Sequence, residues 1–202
     1  MVTVLPPPCQ KPADVGFILD SSGSLTNHYD TEKEFVKALA SAYNISSSQS
    51  RVGVITFSTN AEHSIKMNSH YTMPSFETAV DNIPFYGGLT RIDLALRLAQ
   101  QKMFTVENGA RPELPNIIIL LTDGSQTVAQ GSEDPATIAD ELRVAGITIV
   151  VVGIGSLVDP SELLRIGSSQ DYVYNAASFN DLVSTQFVHS VTNKTCDIGK
   201  NH

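Results

Sequence analysis

The sequence predicts an α/β fold with a doubly wound, mainly parallel central sheet, one antiparallel edge strand and helices on both faces. Stretches with the composition of β-strands alternate along the chain with stretches whose apolar residues recur at helical spacing. Most of the strand-like stretches are apolar throughout, and short connections that contain glycine separate them. Continuous apolar strands are typical of parallel sheets that are covered on both faces.

The first part of the chain is expected to supply three strands. The apolar run 15–20 ends abruptly in an aspartate and small hydroxyl residues, which predicts a buried strand that leads into a tight loop. Helical spacing over 32–43 predicts an amphipathic helix, and a second buried strand is expected at 51–57. Residues 59–60 have the composition of a hairpin turn, and a more polar strand follows them at 61–67. This strand is expected to be the antiparallel edge.

The rest of the chain continues the alternation of helices and strands. Helices are predicted at 71–83, 90–103, 135–145, 161–166 and 179–191. Strands are predicted at 115–122, 147–153 and 172–174. The strand at 115–122 resembles the first one, because it is apolar and is followed by an aspartate in a loop with glycine.

Length and composition indicate one globular domain. The chain has 202 residues, of which 42% are hydrophobic and 17% charged, which is enough for a continuous core. We expect a proline-rich linker over 1–12, the domain over 13–192 and a C-terminal tail over 193–202. The formal net charge of −8 disfavours nucleic acid as a partner. No apolar run approaches the roughly 20 residues that span a bilayer, so no membrane insertion is expected.

Polar residues follow two of the buried strands. Asp20, Ser22 and Ser24 end the first strand, and Asp123 follows the strand at 115–122. Ligands of doubly wound sheets bind beyond the carboxyl ends of the strands, where Thr90 is placed to close a third side. Carboxylates and hydroxyls are the ligands that Mg²⁺, Mn²⁺ and Ca²⁺ prefer. Simpler roles remain open, namely an Asx turn or helix cap for the first loop, a turn residue for Asp123 and an N-cap for Thr90.

This set of motifs resembles the metal-ion-dependent adhesion site of von Willebrand factor type A domains, which have a Rossmann-like fold. The resemblance rests on Asp20-x-Ser22-x-Ser24, on Thr90 after a glycine pair and on Thr122-Asp123-Gly124, in the order and separation of the family. The flanking segments 51–58 and 150–155 are also similar to the family. The helix that collagen-binding integrin domains insert before the last helix has no clear counterpart. The chain therefore resembles most the extracellular-matrix members, such as matrilins and the A-domains of non-fibrillar collagens.

The resemblance implies a site for Mg²⁺ or Mn²⁺, with Ca²⁺ as the less favoured cation. Ser22, Ser24 and Thr90 would contact the metal, and Asp20 and Asp123 would hold it directly or through water. An acidic side chain of a protein partner would complete the coordination. In members of the family that switch, the last helix slides when the metal changes its ligands, and we expect that helix at 179–191 here.

The two cysteines and two sequons bear on the cellular compartment. Cys9 and Cys196 lie at opposite ends of the predicted domain, where they would form a disulfide if the ends meet, or remain two free thiols in a reducing compartment. Asn44 and Asn193 each begin an N-x-S/T triplet and are candidate N-glycosylation sites. Together these features favour a secreted protein of the extracellular matrix.

We therefore expect an adhesion or matrix module that recognises an extracellular protein, with collagen as one candidate, through a divalent cation. An enzyme is not expected, since no histidine or lysine is placed as a general base and neither a GxSxG elbow nor a phosphate-binding loop is present. Two alternatives remain at this point. One is a structural matrix subunit whose metal site is unused, and the other, less favoured, is a metal-assisted hydrolase.

Overall fold

A computed structural model describes residues 9–198. The first eight residues of the predicted linker and the last four of the predicted tail lie outside the described residues. Six strands form one sheet in the order β3-β2-β1-β4-β5-β6. Their bounds are β1 Asp14–Asp20, β2 Arg51–Phe57, β3 Ala61–Ile65, β4 Asn116–Thr122, β5 Ile147–Ile154 and β6 Val173–Ala176. Only the β2–β3 pair is antiparallel, which confirms the predicted fold class.

The sheet topology places the ends of β1 and β4 side by side. From β1 the chain proceeds in one direction through β2 and β3, and from β4 in the other direction through β5 and β6. The order of the strands therefore reverses between β1 and β4, whose parallel register pairs Leu19 with Leu121. This is the position where open α/β sheets bind ligands.

Helices cover both faces of the sheet. One apolar layer joins α1 (Tyr29–Ala40), α2 (Met73–Asp81), α6 (Phe179–Leu182) and α7 (Thr185–Cys196) to the sheet. The second layer joins α3 (Ile92–Leu98), α4 (Pro135–Val144) and α5 (Pro160–Ile166) to the opposite face. Successive strand residues point to opposite faces. Phe17 and Leu19 accordingly lie in the first layer and Ile18 in the second.

Several helix boundaries differ from the sequence prediction. The helix predicted at 179–191 is wrong as one unit, because the chain forms α6, breaks at residues 183–184 and resumes as α7. Ser184 causes this break locally, since its hydroxyl accepts a hydrogen bond from the Phe187 N–H and so begins a new helix. The helix expected from residue 90 begins at Ile92, and α3 continues as one turn of π-helix, Ala99–Met103.

The two ends of the described chain meet. Cys9 and Cys196 form a disulfide with a Cα–Cα distance of 5.0 Å, and this excludes the alternative of two free thiols. Asn44 and Asn193 are both exposed, although Asn193 lies within α7 and Thr195 of its triplet is buried. Glycosylation at either asparagine stays a prediction. No helix in residues 9–198 is long and apolar enough to cross a membrane.

Candidate metal centre

Asp20 is the last residue of β1 and is completely buried. Its Oδ1 accepts a hydrogen bond from the Ser22 N–H at 2.8 Å, which is the Asx-turn contact that the sequence allowed. Its Oδ2 accepts a hydrogen bond from Thr122 Oγ1, at the end of β4, at 2.7 Å. The carboxylate is therefore held between two neighbouring strand ends. Thr122 belonged to the sequence motif, but its contact with Asp20 could be seen only once β1 and β4 were known to be neighbours.

The loop after β1 contacts the loop after β4 through Ser24 and Asp123. Ser24 Oγ donates to Asp123 Oδ1 at 2.7 Å, and the Ser22 and Ser24 hydroxyls lie 3.2 Å apart. Ser22 is buried, whereas Ser24 is exposed to solvent. The Ser22 hydroxyl makes no capping bond to the short 3₁₀ helix Gly23–Asn27 that follows it. Oxygen atoms of residues that lie 99 positions apart in the chain therefore converge at one solvent-facing point.

Thr90 lies beside this cluster. A Cβ atom built on Gly124, the neighbour of Asp123, would be 3.6 Å from Thr90 Oγ1. The N-cap of α3 is Arg91, so the alternative role of Thr90 as the N-cap of its helix is wrong. Thr90 is held through its backbone, since its N–H donates to Thr127 Oγ1 at 3.1 Å and its carbonyl accepts from the Thr127 N–H at 2.8 Å.

A buried network fixes the loop after β4 to the segment that contains Thr90. Arg91 forms a two-bond ion pair with Asp93, which is 2% exposed. Gln126 donates from Nε2 to Asp93 Oδ1 at 2.7 Å and accepts from the Asp93 N–H at 3.1 Å. Burial alone would raise the pKa of Asp93, but the hydrogen bonds from Arg91 and Gln126 hold this pKa below its ordinary value.

We call this network the Asp93 clamp and define it as Arg91, Asp93, Gln126 and Thr127. The sequence did not predict it. The available signal was weak. It consisted of a charged residue pair directly after Thr90, on a helix face that its apolar neighbours predict to be buried. The contact with Gln126 spans 33 positions and could not be inferred from a local pattern.

The glycine pair before Thr90 has a backbone role. The Gly23 N–H donates to the Gly88 carbonyl at 3.0 Å and so joins the first loop to the segment before Thr90. Gly88 has a φ of 104°, and a Cβ atom there would lie 2.4 Å from Thr59 Oγ1. Only glycine fits this close approach without a shift of the neighbouring chain.

The cluster has an excess of negative charge. Burial raises the pKa of Asp20 to about 6, despite the hydrogen bonds from Thr122 and Ser22. Burial also raises the pKa of Asp123, and the hydrogen bond from Ser24 opposes this effect in part. Within residues 9–198, neither aspartate forms an ion pair with a lysine or arginine. A bound cation would supply the missing positive charge.

The donor atoms fit a hard divalent cation. Two carboxylates and three hydroxyls are available, from the five residues predicted for this role: Asp20, Ser22, Ser24, Thr90 and Asp123. The described part of the chain contains no group of three histidine, cysteine, aspartate or glutamate residues that could hold a metal ion. The cluster instead offers two aspartates and neutral hydroxyls. That donor set suits Mg²⁺ or Mn²⁺ and lacks the nitrogen and sulfur ligands of structural zinc sites.

The surface around the cluster is partly apolar. Phe85, Tyr86 and Leu89, in the segment before Thr90, are 38%, 47% and 40% exposed. On another side the ring of His28 stacks on Phe179, with 4.1 Å between the ring centroids. Polar donors for a cation therefore lie next to side chains that can contact a protein surface.

Comparisons with known proteins agree with this geometry. The family model of the von Willebrand factor type A domain matches residues 14–187. Von Willebrand factor A domain-containing protein 2 of Xenopus laevis is 28% identical over 195 residues, which are 96% of this chain and 24% of that protein. Matrilin-2 of Mus musculus is 30% identical over 194 residues, which are 93% of this chain and 20% of that protein. This chain thus spans at most about a quarter of the length of these relatives.

One solved structure adds information about metal binding. Proximal thread matrix protein 1 from the mussel byssus was solved with zinc in its MIDAS motif, the metal-ion-dependent adhesion site. Its structure matches this chain with a TM-score of 0.84 and 28% sequence identity. The match covers 96% of this chain and 47% of the mussel chain. A protein similar in fold and sequence thus holds a metal ion in its motif.

Proposed function

The chain belongs to the von Willebrand factor type A domain family, and from this premise we propose that it is an extracellular module that binds a matrix protein through a divalent cation. The observation on which we base the proposal is the contact of Ser22, Ser24 and Asp123 at the solvent-facing end of β1 and β4. The similarity to matrilin-2 and to a byssal matrix protein supports a role in the extracellular matrix. The disulfide supports secretion.

We propose that Ser22, Ser24 and Thr90 provide neutral oxygen ligands and that Asp20 and Asp123 provide the negative charge. When bound, the cation supplies a Lewis-acidic position that accepts an anionic oxygen from outside the domain. Because the hydroxyl ligands are neutral and leave the cation electron-poor, an acidic side chain of the partner is a favourable additional ligand. Mg²⁺ is the proposed cation, and Mn²⁺, which also accepts oxygen ligands, can replace it. The proposal includes no catalytic step.

The shape and polarity of the surroundings favour a protein as the ligand. Phe85, Tyr86 and Leu89 would lie against the partner and exclude water from the cation–carboxylate contact. Removal of water strengthens an electrostatic contact of this kind. Collagen is one candidate partner and other matrix proteins are equally compatible with this surface.

A solid-phase binding screen against fibrillar and non-fibrillar collagens and other matrix proteins tests the proposal, with Mg²⁺, Mn²⁺ or a chelator in the buffer. Ser24→Ala removes one donor from an exposed position and should abolish the Mg²⁺-dependent binding. Ser47→Ala is the matched control, because Ser47 is exposed in the loop before β2, at the amino ends of the parallel strands and therefore opposite the site. Binding that persists in chelator and in Ser24→Ala would overturn the role of the cation. If no matrix protein binds, the structural-subunit alternative is favoured.

A further inference from the structure

Glu32 is a buried acidic residue that none of the interactions above explains. It is the fourth residue of α1 and lies on the helix face that contains Phe35, Val36 and Leu39. Its exposure is 0%. Neither carboxylate oxygen has a hydrogen-bond partner. A fully buried carboxylate without a partner is costly, so its retention at an otherwise apolar position calls for a compensating positive charge.

The described residues supply no such charge from the protein. The lysines of α1 are engaged elsewhere, since Lys33 pairs with Asp30 and Lys37 with Glu34 and Asp81. No ion pair in residues 9–198 includes Glu32. The helix dipole offers only partial charge at its first turn, and the surrounding side chains are mainly apolar.

The position of Glu32 relates it to the metal centre. α1 begins five residues after Ser24, and Glu32 is in its first turn, within about 5 Å of helix rise from Tyr29. Burial raises the pKa of Glu32 well above its ordinary value, and the negative charges of Asp20 and then Asp123 raise this pKa further. Glu32 therefore lies within electrostatic range of both aspartates of the metal centre.

We propose that the charge of Glu32 acts through space on the bound cation, in addition to the charges of Asp20 and Asp123, so that this carboxylate strengthens cation binding from inside the domain without being a direct ligand. Glu32 is thus a positioning residue of the metal centre. We do not propose Glu32 as a direct ligand, because Glu32, Asp20 and Asp123 do not surround one point as a group of three carboxylates. This role of Glu32 rests on the metal centre proposed above, so the experiment must distinguish a wrong role for Glu32 from the absence of a metal centre.

The role predicts opposite changes in two measured quantities. In Glu32→Gln, which keeps size and shape, we expect the affinity for Mn²⁺ or Mg²⁺ to fall about tenfold, as is typical of residues behind a metal ligand. At a pH high enough to ionise Glu32, the melting temperature of the metal-free protein should rise by at least about 2 °C, because a buried charge without a partner is replaced by a neutral group. A residue with only a structural role would change the melting temperature alone.

Isothermal titration of Mn²⁺ and thermal unfolding in chelator measure both quantities on the parent chain and its variants. Glu34→Gln is the matched control, because it removes the same charge from an exposed position on the same helix, and it should change the affinity less than twofold. Glu32→Met tests the same point with an apolar side chain, in case the glutamine variant does not fold. If the parent binds Mn²⁺ and both Glu32 variants bind it within twofold of the parent, the role of Glu32 is overturned. If the parent itself binds no Mn²⁺, the metal centre is overturned together with it.

Discussion

The two ends of β1 each carry a completely buried aspartate, and their surroundings differ. Asp14, at the first position, accepts hydrogen bonds from the Arg111 N–H at 2.6 Å and from Arg111 Nε at 3.0 Å, and also pairs with Nη2. Asp20, at the last position, accepts hydrogen bonds from the Ser22 N–H and the Thr122 hydroxyl and pairs with no lysine or arginine of residues 9–198. One carboxylate has its positive charge inside the protein, and the other does not.

The difference separates a structural carboxylate from a functional one. At the amino end of the strand, a guanidinium group neutralises Asp14 and ties β1 to the segment before β4. At the carboxyl end, hydroxyls leave the charge of Asp20 uncompensated and next to Asp123, so that an ion from solvent is the natural partner. A buried acid without a basic partner therefore indicates a functional site more strongly than a buried acid that has one. Glu32 is the second such acid in this chain.

The largest expected effect is at the structural end. Arg111→Met leaves Asp14 buried without a charged partner, although the backbone N–H of residue 111 still donates to it, and the free energy of unfolding should fall by about 3–5 kcal/mol. Denaturant unfolding in chelator measures this loss. Arg165→Met is the control, because its ion pair with Asp134 is on the surface, where about 1 kcal/mol or less is expected. A loss at Arg111 no larger than at Arg165 would remove the contrast between the two ends of β1.

The functional end should show a pH dependence in the absence of cation. The folded-state pKa of Asp20 is raised from 3.8 to about 6, so the unfolded chain loses this proton first. The contribution of Asp20 to the free energy of unfolding should therefore be largest below pH 4 and fall by up to about 3 kcal/mol as the pH rises to about 6. Glu32, whose pKa is also raised, contributes in the same direction.

Asp20→Asn isolates the contribution of Asp20. Asparagine can retain both contacts, since its oxygen accepts from the Ser22 N–H and its amide donates to Thr122 Oγ1. Urea unfolding in chelator between pH 4 and pH 7 should show a smaller decrease for the variant than for the parent. Equal pH profiles would mean that Asp20 carries no uncompensated charge.

A smaller effect is expected from the Asp93 clamp. Asp93→Asn weakens the contacts that fix the loop after β4 to Thr90, and cation affinity should fall about tenfold, which corresponds to about 1.4 kcal/mol. Gln126→Ala removes the same loop contact but leaves the Arg91–Asp93 ion pair in place, and it should weaken cation binding with less loss of stability. If both variants lose stability but bind Mn²⁺ as the parent does, the clamp serves the fold and not the site.

Local sequence patterns were sufficient for the fold, and they named the five residues of the candidate metal centre, whose role as ligands stays a prediction. Continuous apolar strands that end in aspartates determine where the polar loops lie, and the spacing of Ser22 and Ser24 is visible in the chain itself. The individual hydrogen bonds of the buried acids were not predictable from local patterns, because their partners come from distant elements. Arg111 reaches Asp14 across 97 positions, and Ser24 reaches Asp123 across 99.

The failures of sequence reasoning have local causes too. The apolar spacing of 179–191 is compatible with one helix, and only the cap at Ser184 shows why the chain forms two. Glu32 occupies a position in the helical pattern of α1 that is otherwise apolar, and the pattern does not reveal that its carboxylate lacks a partner. A single sequence gives no information on such long-range compensation of charge.

Isothermal titration of Mg²⁺ into the chelator-treated parent chain and into Asp20→Asn tests the metal centre most directly. We expect one saturable site per parent chain, and a strong loss of affinity in the variant. At a free Mg²⁺ concentration of 100 times the dissociation constant, the same site should stabilise the parent by about 2.7 kcal/mol. The absence of saturable binding by the parent, or equal binding by Asp20→Asn, would contradict a cation site at the carboxyl end of β1.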